Sequence, residues 1–210
     1  MSGITLYDFE LDENCYKVRL LLSILGLSYR KVAVNMVPGR EHLGPVLMAL
    51  NPRGSLPILT DGAVVLSEAE AIMTYLARAY DAGNTWLPPA PKDHGAVTMW
   101  LQFAIRDLHA AFFARRLAMF DETGDEVALS LAARRAFRLM EDHMTAREFD
   151  RAAWFVGDNP SLADLALFPA IALSRDFGIE HEAYPALRRW MRRVRTIPGF
   201  VTMPGIPDYY

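Results

Sequence analysis

Residues 81–91 read DAGNTWLPPAP, and the hydrophobic pattern changes character across them. Before this Gly- and Pro-rich stretch, strand-length runs alternate with runs of helical period; after it, only helical periods persist. Residues 4–8 (ITLYD) alternate as a short strand. From Cys15 to Leu25, apolar residues recur at helical spacing (Val18, Leu21, Leu22, Leu25) up to Gly26, a helix stop, while Asp12 and Asn14 stand where an N-cap belongs. Tyr29–Val34 reads as a second strand, and residues 41–50 as a short, weaker helix ending at Asn51-Pro52. Pro57–Thr60 and Ala63–Leu66 are strand-like runs on either side of Asp61-Gly62, a hairpin turn signal. Ile72, Tyr75, Leu76 and Ala79 mark a helix beginning near Glu68. The order βαβαββα predicts an α/β domain over residues 1–80 and a linker over 81–91. An all-helical domain is predicted over 92–210, with helical periods at 92–120, 125–147, 161–177 and 184–196. Ser161-Leu162-Ala163-Asp164, following the turn Gly157-Asp158-Asn159-Pro160, predicts a capping box with Asp in place of the usual Glu, at the start of a buried helix.

Composition removes several classes of function. At 210 residues, 52% hydrophobic and 22% charged, the chain can bury a sizeable core. A net charge of -3 and a pI near 6.0 argue against a nucleic-acid partner or a basic membrane-binding surface. One cysteine, Cys15, permits no internal disulfide and fits a reducing cytoplasm. The start, MSGITLYDFELDEN, lacks the basic and apolar regions of a signal peptide, and no apolar run approaches the roughly 20 residues that span a bilayer. His42, His94, His109, His143 and His181 have no metal-ligand spacing, so no metal is expected, and no phosphate-binding glycine loop or G-x-S-x-G elbow is present. The arginines of residues 188–195 read as a solvated helix face.

Two segments carry chemistry. In Asn51-Pro52-Arg53-Gly54-Ser55-Leu56-Pro57, a cis bond before Pro57 would leave the Leu56 backbone outside the sheet ladder, able to clamp an extended peptide; an ordinary loop is the alternative. In Ser67-Glu68-Ala69-Glu70, a helix start offers free N–H groups to a carboxylate, with Glu68 beside it for an ammonium group; the alternative is that Glu68 and Glu70 only complement the helix dipole.

Taken together, the order βαβαββα, NPRGSLP, LSEAEAIMTYL, the linker and an all-α half containing GDNPSLADLALFP resemble the cytosolic glutathione transferases over essentially the whole chain. LYDFELDENCYKVRLLLSILGLSY and the closing IPGFVTMP are similar to the bacterial branch related to the nu and theta classes. The resemblance implies a thioredoxin-like N-terminal domain, a helical-bundle C-terminal domain and a homodimer. It implies glutathione across the first domain: Leu56 before Pro57 pairing with the cysteinyl backbone, Glu68 and the helix start at Ala69 holding the γ-glutamyl group, and His42 and Ser55 toward the glycine end. It also implies an electrophile pocket involving Phe9 and, from the helical domain, Trp100, Phe103, Arg106 and Phe112.

Two positions depart from that pattern. Related bacterial proteins usually carry Ser or Thr, whose hydroxyl donates to the glutathione sulfur, where this chain has Asp12; an ionised carboxylate cannot donate and repels a thiolate. The residue after the acid at the helix start is usually Ser, and here it is Ala69. Asn14, through its amide, and Tyr7, at the end of the first strand, are the candidate catalytic groups; Cys15 reads as a buried helix residue. The expected chemistry is attack by the glutathione thiolate on a small electrophile or on a glutathione mixed disulfide. The rivals are a non-catalytic binding or scaffold protein of the same fold, favoured by Asp12 and Ala69, and a glutathione-dependent lyase or isomerase.

Overall fold

A computed structural model describes residues 3–120 and 122–206. Of these, residues 3–82 with 198–204 form one unit, and the remainder of 83–206 forms the other.

The first unit begins with β1 (Ile4–Asp8) and α1 (Glu13–Ile24). Asp12 caps α1, its Oδ1 accepting from the Cys15 amide at 2.7 Å. This gives the unusual Asp a structural task, satisfying one of the donors a helix start leaves open. Next come β2 (Arg30–Ala33), a 3-10 turn at Glu41–Leu43, α2 (Pro45–Leu50), β3 (Ile58–Asp61), β4 (Val64–Ser67) and α3 (Ala69–Tyr80). The sheet order is β2-β1-β3-β4, with β1 parallel to β2 and the other pairs antiparallel. This is the thioredoxin-like arrangement. Gly62, at φ 57°, supplies the positive dihedral that the two-residue turn from Asp61 to Val64 requires. Tyr75 donates to Asp61 Oδ2 at 2.9 Å, and Tyr80 donates to the same atom; this bond pushes the Tyr80 phenol up to about 12. The hairpin end is thus tied to α3.

α1 departs from the expected single apolar stripe. Its buried residues include Lys17 and Arg19 beside Cys15, Tyr16, Val18 and Leu20–Leu22. Each buried cation has an acid to meet it, Glu70 for Lys17 and Asp8 for Arg19, as the expense of burying a charge demands. Residues 198–204 close the unit: Tyr16 donates its hydroxyl to the Val201 carbonyl at 2.7 Å, and Gly199 lies so near α1 that a Cβ there would sit 2.8 Å from the Ser23 oxygen.

The second unit holds α4 (Pro91–Arg106), α5 (His109–Phe120), α6 (Glu126–Phe149), α7 (Leu162–Ala172) and α8 (Pro185–Arg195). The single run expected over 92–120 is two helices. The Asp107 and Leu108 amides both turn back to the Phe103 carbonyl, at 2.8 and 3.3 Å, and a new helix starts at His109. The expected capping box is present, and every residue of α7 is buried. The Asp164 carboxylate accepts from the Ser161 amide at 2.9 Å and the Ser161 hydroxyl at 3.2 Å. On its other oxygen it accepts from the Phe155 amide at 3.1 Å and the Trp190 indole at 2.9 Å.

Candidate functional site

Strand register gathers the candidate residues of the first unit at one end of its sheet. Tyr7 pairs with Ile58, and Ile58 with Ser67. The chain therefore leaves β1 toward Phe9–Asn14, approaches β3 through Ser55, Leu56 and Pro57, and leaves β4 into Glu68 and Ala69, all at the same edge. β2 runs parallel to β1, so its C-terminal end, which leads on to His42, lies there as well.

Three local devices hold these segments. Arg19 donates to Asp8, to the Phe9 carbonyl at 3.3 Å and to the Glu10 carbonyl at 2.8 Å, pinning the loop between β1 and α1. Asn51, 3% exposed, donates to the Ser55 carbonyl at 2.8 Å and the Ser55 hydroxyl at 2.9 Å and accepts from the Arg53 amide at 3.2 Å, which builds the NPRGSLP turn. The Leu56–Pro57 bond is cis, as expected, and pairing starts only at Ile58, so the Leu56 backbone lies outside the ladder. At the third segment Glu68 turns the chain from β4 into α3 with φ 70° and ψ 120°, a conformation that strains a side-chain-bearing residue. Its carboxylate is half exposed and accepts from Arg53 at 3.0 Å. Ala69, the first residue of α3, is buried.

Asn14 is half-buried in the first turn of α1. Its Oδ1 accepts from Lys17 Nζ at 2.9 Å, and Lys17 donates on to Glu70 at 2.7 Å. The Asn14 NH2 makes no hydrogen bond among the described residues and keeps both its donors. Sequence reasoning did not single out Lys17 or Arg19, and gave Glu70 only a role toward the helix dipole. Lys17 three residues after Asn14, the i, i+3 spacing of a helix face, was the one local signal for the first of them.

Tyr7 and Phe9, the one a candidate catalytic group and the other a candidate pocket residue, pack against an apolar cluster of Cys15, Val34, Leu47, Leu56 and Ile58. The Cys15 thiol is fully buried and accepts from the Phe9 amide at 3.4 Å. Burial first, then the Asp12 and Asp8 carboxylates, push it well above the usual thiol range, so it carries no ready thiolate. His42 is half-buried in the 3-10 turn.

The other pocket residues belong to the helical unit. Trp100 is 7% exposed, with its ring against Phe155 at 4.8 Å, His143 at 4.7 Å and Phe103 at 5.2 Å between centroids. Phe112 is 8% exposed. Arg106 is largely exposed, its guanidinium 3.6 Å from Asp107. Trp100 and Phe112 are thus core side chains of that unit, and Arg106 is a surface one.

Known proteins share this chain's pattern in both units. Residues 2–78 match the glutathione S-transferase N-terminal domain and residues 122–198 the glutathione S-transferase C-terminal domain. The chain is 31% identical to a maleylacetoacetate isomerase of Rhizobium meliloti, over 93% of this chain and 92% of that one. The crystal structure of a glutathione S-transferase from Pseudomonas fluorescens matches with a TM-score of 0.87 at 28% identity, over 97% of this chain and 100% of that one. A glutathione transferase homologue from Lodderomyces elongisporus, crystallised with two GSH per subunit, matches with a TM-score of 0.85 at 25% identity, over 95% and 96% of the two chains. The chain belongs to the cytosolic glutathione transferase superfamily.

Proposed function

We propose that this chain is a glutathione-dependent transferase in which Asn14 takes the place of the hydroxyl that Asp12 cannot supply. The observation that carries this reading is the Asn14–Lys17–Glu70 chain, which leaves the Asn14 NH2 free to donate at the end of the sheet where Leu56, Glu68 and the start of α3 also lie. There Asn14 donates to the glutathione sulfur and favours its thiolate. The Leu56 backbone pairs with the cysteinyl residue, the first amides of α3 meet the γ-glutamyl carboxylate, and Glu68 meets the ammonium group. His42 and Ser55 serve the glycine end. The thiolate then attacks the electrophile: a carbon–sulfur bond forms and the leaving group departs with its electron pair. With a glutathione mixed disulfide, a new sulfur–sulfur bond replaces the old one.

Calorimetric titration with glutathione and steady-state turnover of an activated aryl halide test this. Asn14→Ala should lower kcat at least about tenfold, about 1.4 kcal/mol in the transition state. Cys15→Ala should be nearly silent. No glutathione binding would favour a scaffold role, and a large loss from Cys15→Ala would indicate covalent chemistry at that thiol.

A second reading, a glutathione-dependent isomerase, is favoured by the likeness to the maleylacetoacetate isomerase. It differs in consuming no glutathione, so free thiol measured before and after complete turnover separates the two. A cytoplasmic homodimer completes the proposal. Sedimentation at micromolar concentration should give about twice the chain mass, with more than about 1,000 Å² buried between subunits; a stable monomer would count against it.

A further inference from the structure

Lys17 and Glu70 form an ion pair between α1 and α3 whose side chains are only 1% and 9% exposed. Two buried apolar residues would join these helices without taking charge out of water, and such replacements are often neutral or stabilising. A buried lysine is better explained where direction matters, and Lys17 also donates to Asn14 Oδ1.

We propose that Lys17, held by Glu70, is a positioning residue that fixes the Asn14 carboxamide with its NH2, rather than its oxygen, presented to the glutathione thiol. This rests on the reading of Asn14 as the sulfur donor. An ammonium group has three N–H donors and no acceptor, so only the amide oxygen can face it, and the NH2 must then point the other way. The reversed amide would set donor against donor and lose a charge-assisted bond, roughly twice as strong as a neutral one. It would also present an oxygen lone pair to the thiolate. Glu70 takes another of the ammonium protons at 2.7 Å and keeps a flexible four-carbon side chain on one line. Lys17 has a second effect through the same bond. It draws electron density toward Oδ1 and makes the distal N–H a stronger donor. A hydroxyl at the helix cap could turn to whatever sulfur it meets; an amide standing in for it must be set from behind. Asp12 makes this dependence sharper, because its own side chain offers the sulfur no donor and is engaged with the Cys15 amide.

A double-mutant cycle on the full chain tests the proposal, with Asn14→Ala, Lys17→Met and the two combined. The readouts are the thiol pKa of bound glutathione, followed by thiolate ultraviolet absorbance against pH, and kcat and KM with an activated aryl halide. Lys17→Met should raise the bound thiol pKa by about 0.5–1, an equal three- to tenfold loss of thiolate near neutrality. kcat should fall by a similar factor, with the KM for glutathione changed less than about twofold. In the Asn14→Ala background, Lys17→Met should change neither. Lys17→Met alone strands Glu70 and can unfold the chain, so Lys17→Met/Glu70→Leu, which removes both charges, must show the same rise in thiol pKa. A purely structural pair would lower Tm in these variants and leave the bound thiol pKa where it was, which overturns the proposal. Additive losses in the cycle overturn the positioning role alone. An Asn14→Ala variant with an unaltered thiol pKa overturns the reading of Asn14 and the positioning role with it.

Discussion

Asp164 is where a single substitution should do the most damage to the fold. Its carboxylate is fully buried and takes four donors: the Phe155 amide and Trp190 indole on one oxygen, the Ser161 amide and hydroxyl on the other. These donors come from the loop before α7, the cap of α7, and α8, so one side chain joins three segments. In Asp164→Ala the Ser161 hydroxyl can rotate, but three buried N–H groups lose their acceptor. At about 1–3 kcal/mol for each stranded donor the gross loss is about 3–9 kcal/mol. Part is returned, because the carboxylate no longer has to be buried; burial raises the Asp164 carboxyl above its ordinary range despite the four donors. A net loss of about 3–5 kcal/mol is expected, a large share of the 5–15 kcal/mol that holds a domain together. Asp164→Asn keeps one acceptor oxygen. It can face the Phe155 and Trp190 pair while the amide NH2 donates to the Ser161 hydroxyl, so one N–H is stranded and the loss should be about 2 kcal/mol. Urea unfolding followed by tryptophan fluorescence and far-ultraviolet circular dichroism measures both. A loss below about 1.5 kcal/mol for Asp164→Ala, or an Asn variant no better than the Ala variant, would refute this reasoning.

Ala69→Ser restores one hydroxyl donor at the start of α3 and should tighten glutathione binding about ten- to hundredfold, while Glu68→Gln weakens it in either background. Calorimetry checks this; no change in Ala69→Ser would mean that another group, such as Arg53, which pairs with Glu68, already holds the carboxylate. Burial holds the His143 imidazole below its ordinary range, opposed by its hydrogen bond to the Phe155 carbonyl at 2.9 Å, and burial lowers His181 in the same direction. The unfolded chain then binds more protons than the native one just below about pH 6.5, so the stability these rings contribute is complete above that pH and is lost as pH falls through it. Urea midpoints should drop between about pH 7.5 and 5.5, less so in His143→Phe, and a flat profile would contradict the assignment.

Features written in short stretches of chain were legible in the sequence. The Ser161–Asp164 box, the turn at Gly62, the cis bond before Pro57 and the helix start at Ala69 each depend on residues a few positions apart. What escaped depends on distance or on missing punctuation. Lys17 meets Glu70 across 53 positions, and nothing local marks a lysine as buried. Arg19 carried no local signal, yet it staples the loop that carries the site. The break after Arg106 has no glycine or proline, so periodicity ran through it. Asp12 and Asn14 both stood where a cap belongs, and only the direction of its oxygen shows that Asp12 is the one that caps α1.

The contribution of residues 198–204 to the first unit bears on how the chain acquires its structure during synthesis. Tyr16 finds its acceptor at Val201, 185 positions later, and Gly199 fits against Ser23 and Ile24 of the same helix. A ribosome adding about 5–20 residues per second delivers these residues many seconds after β1 and α1 emerge. During that interval the far face of α1 has no cover from this segment, and the loop to be closed spans most of the chain, which makes its formation a late and slow contact. The nascent N-terminal unit would therefore wait in a state more open to chaperones and proteases than the finished one, until residues 198–204 have emerged to cover it.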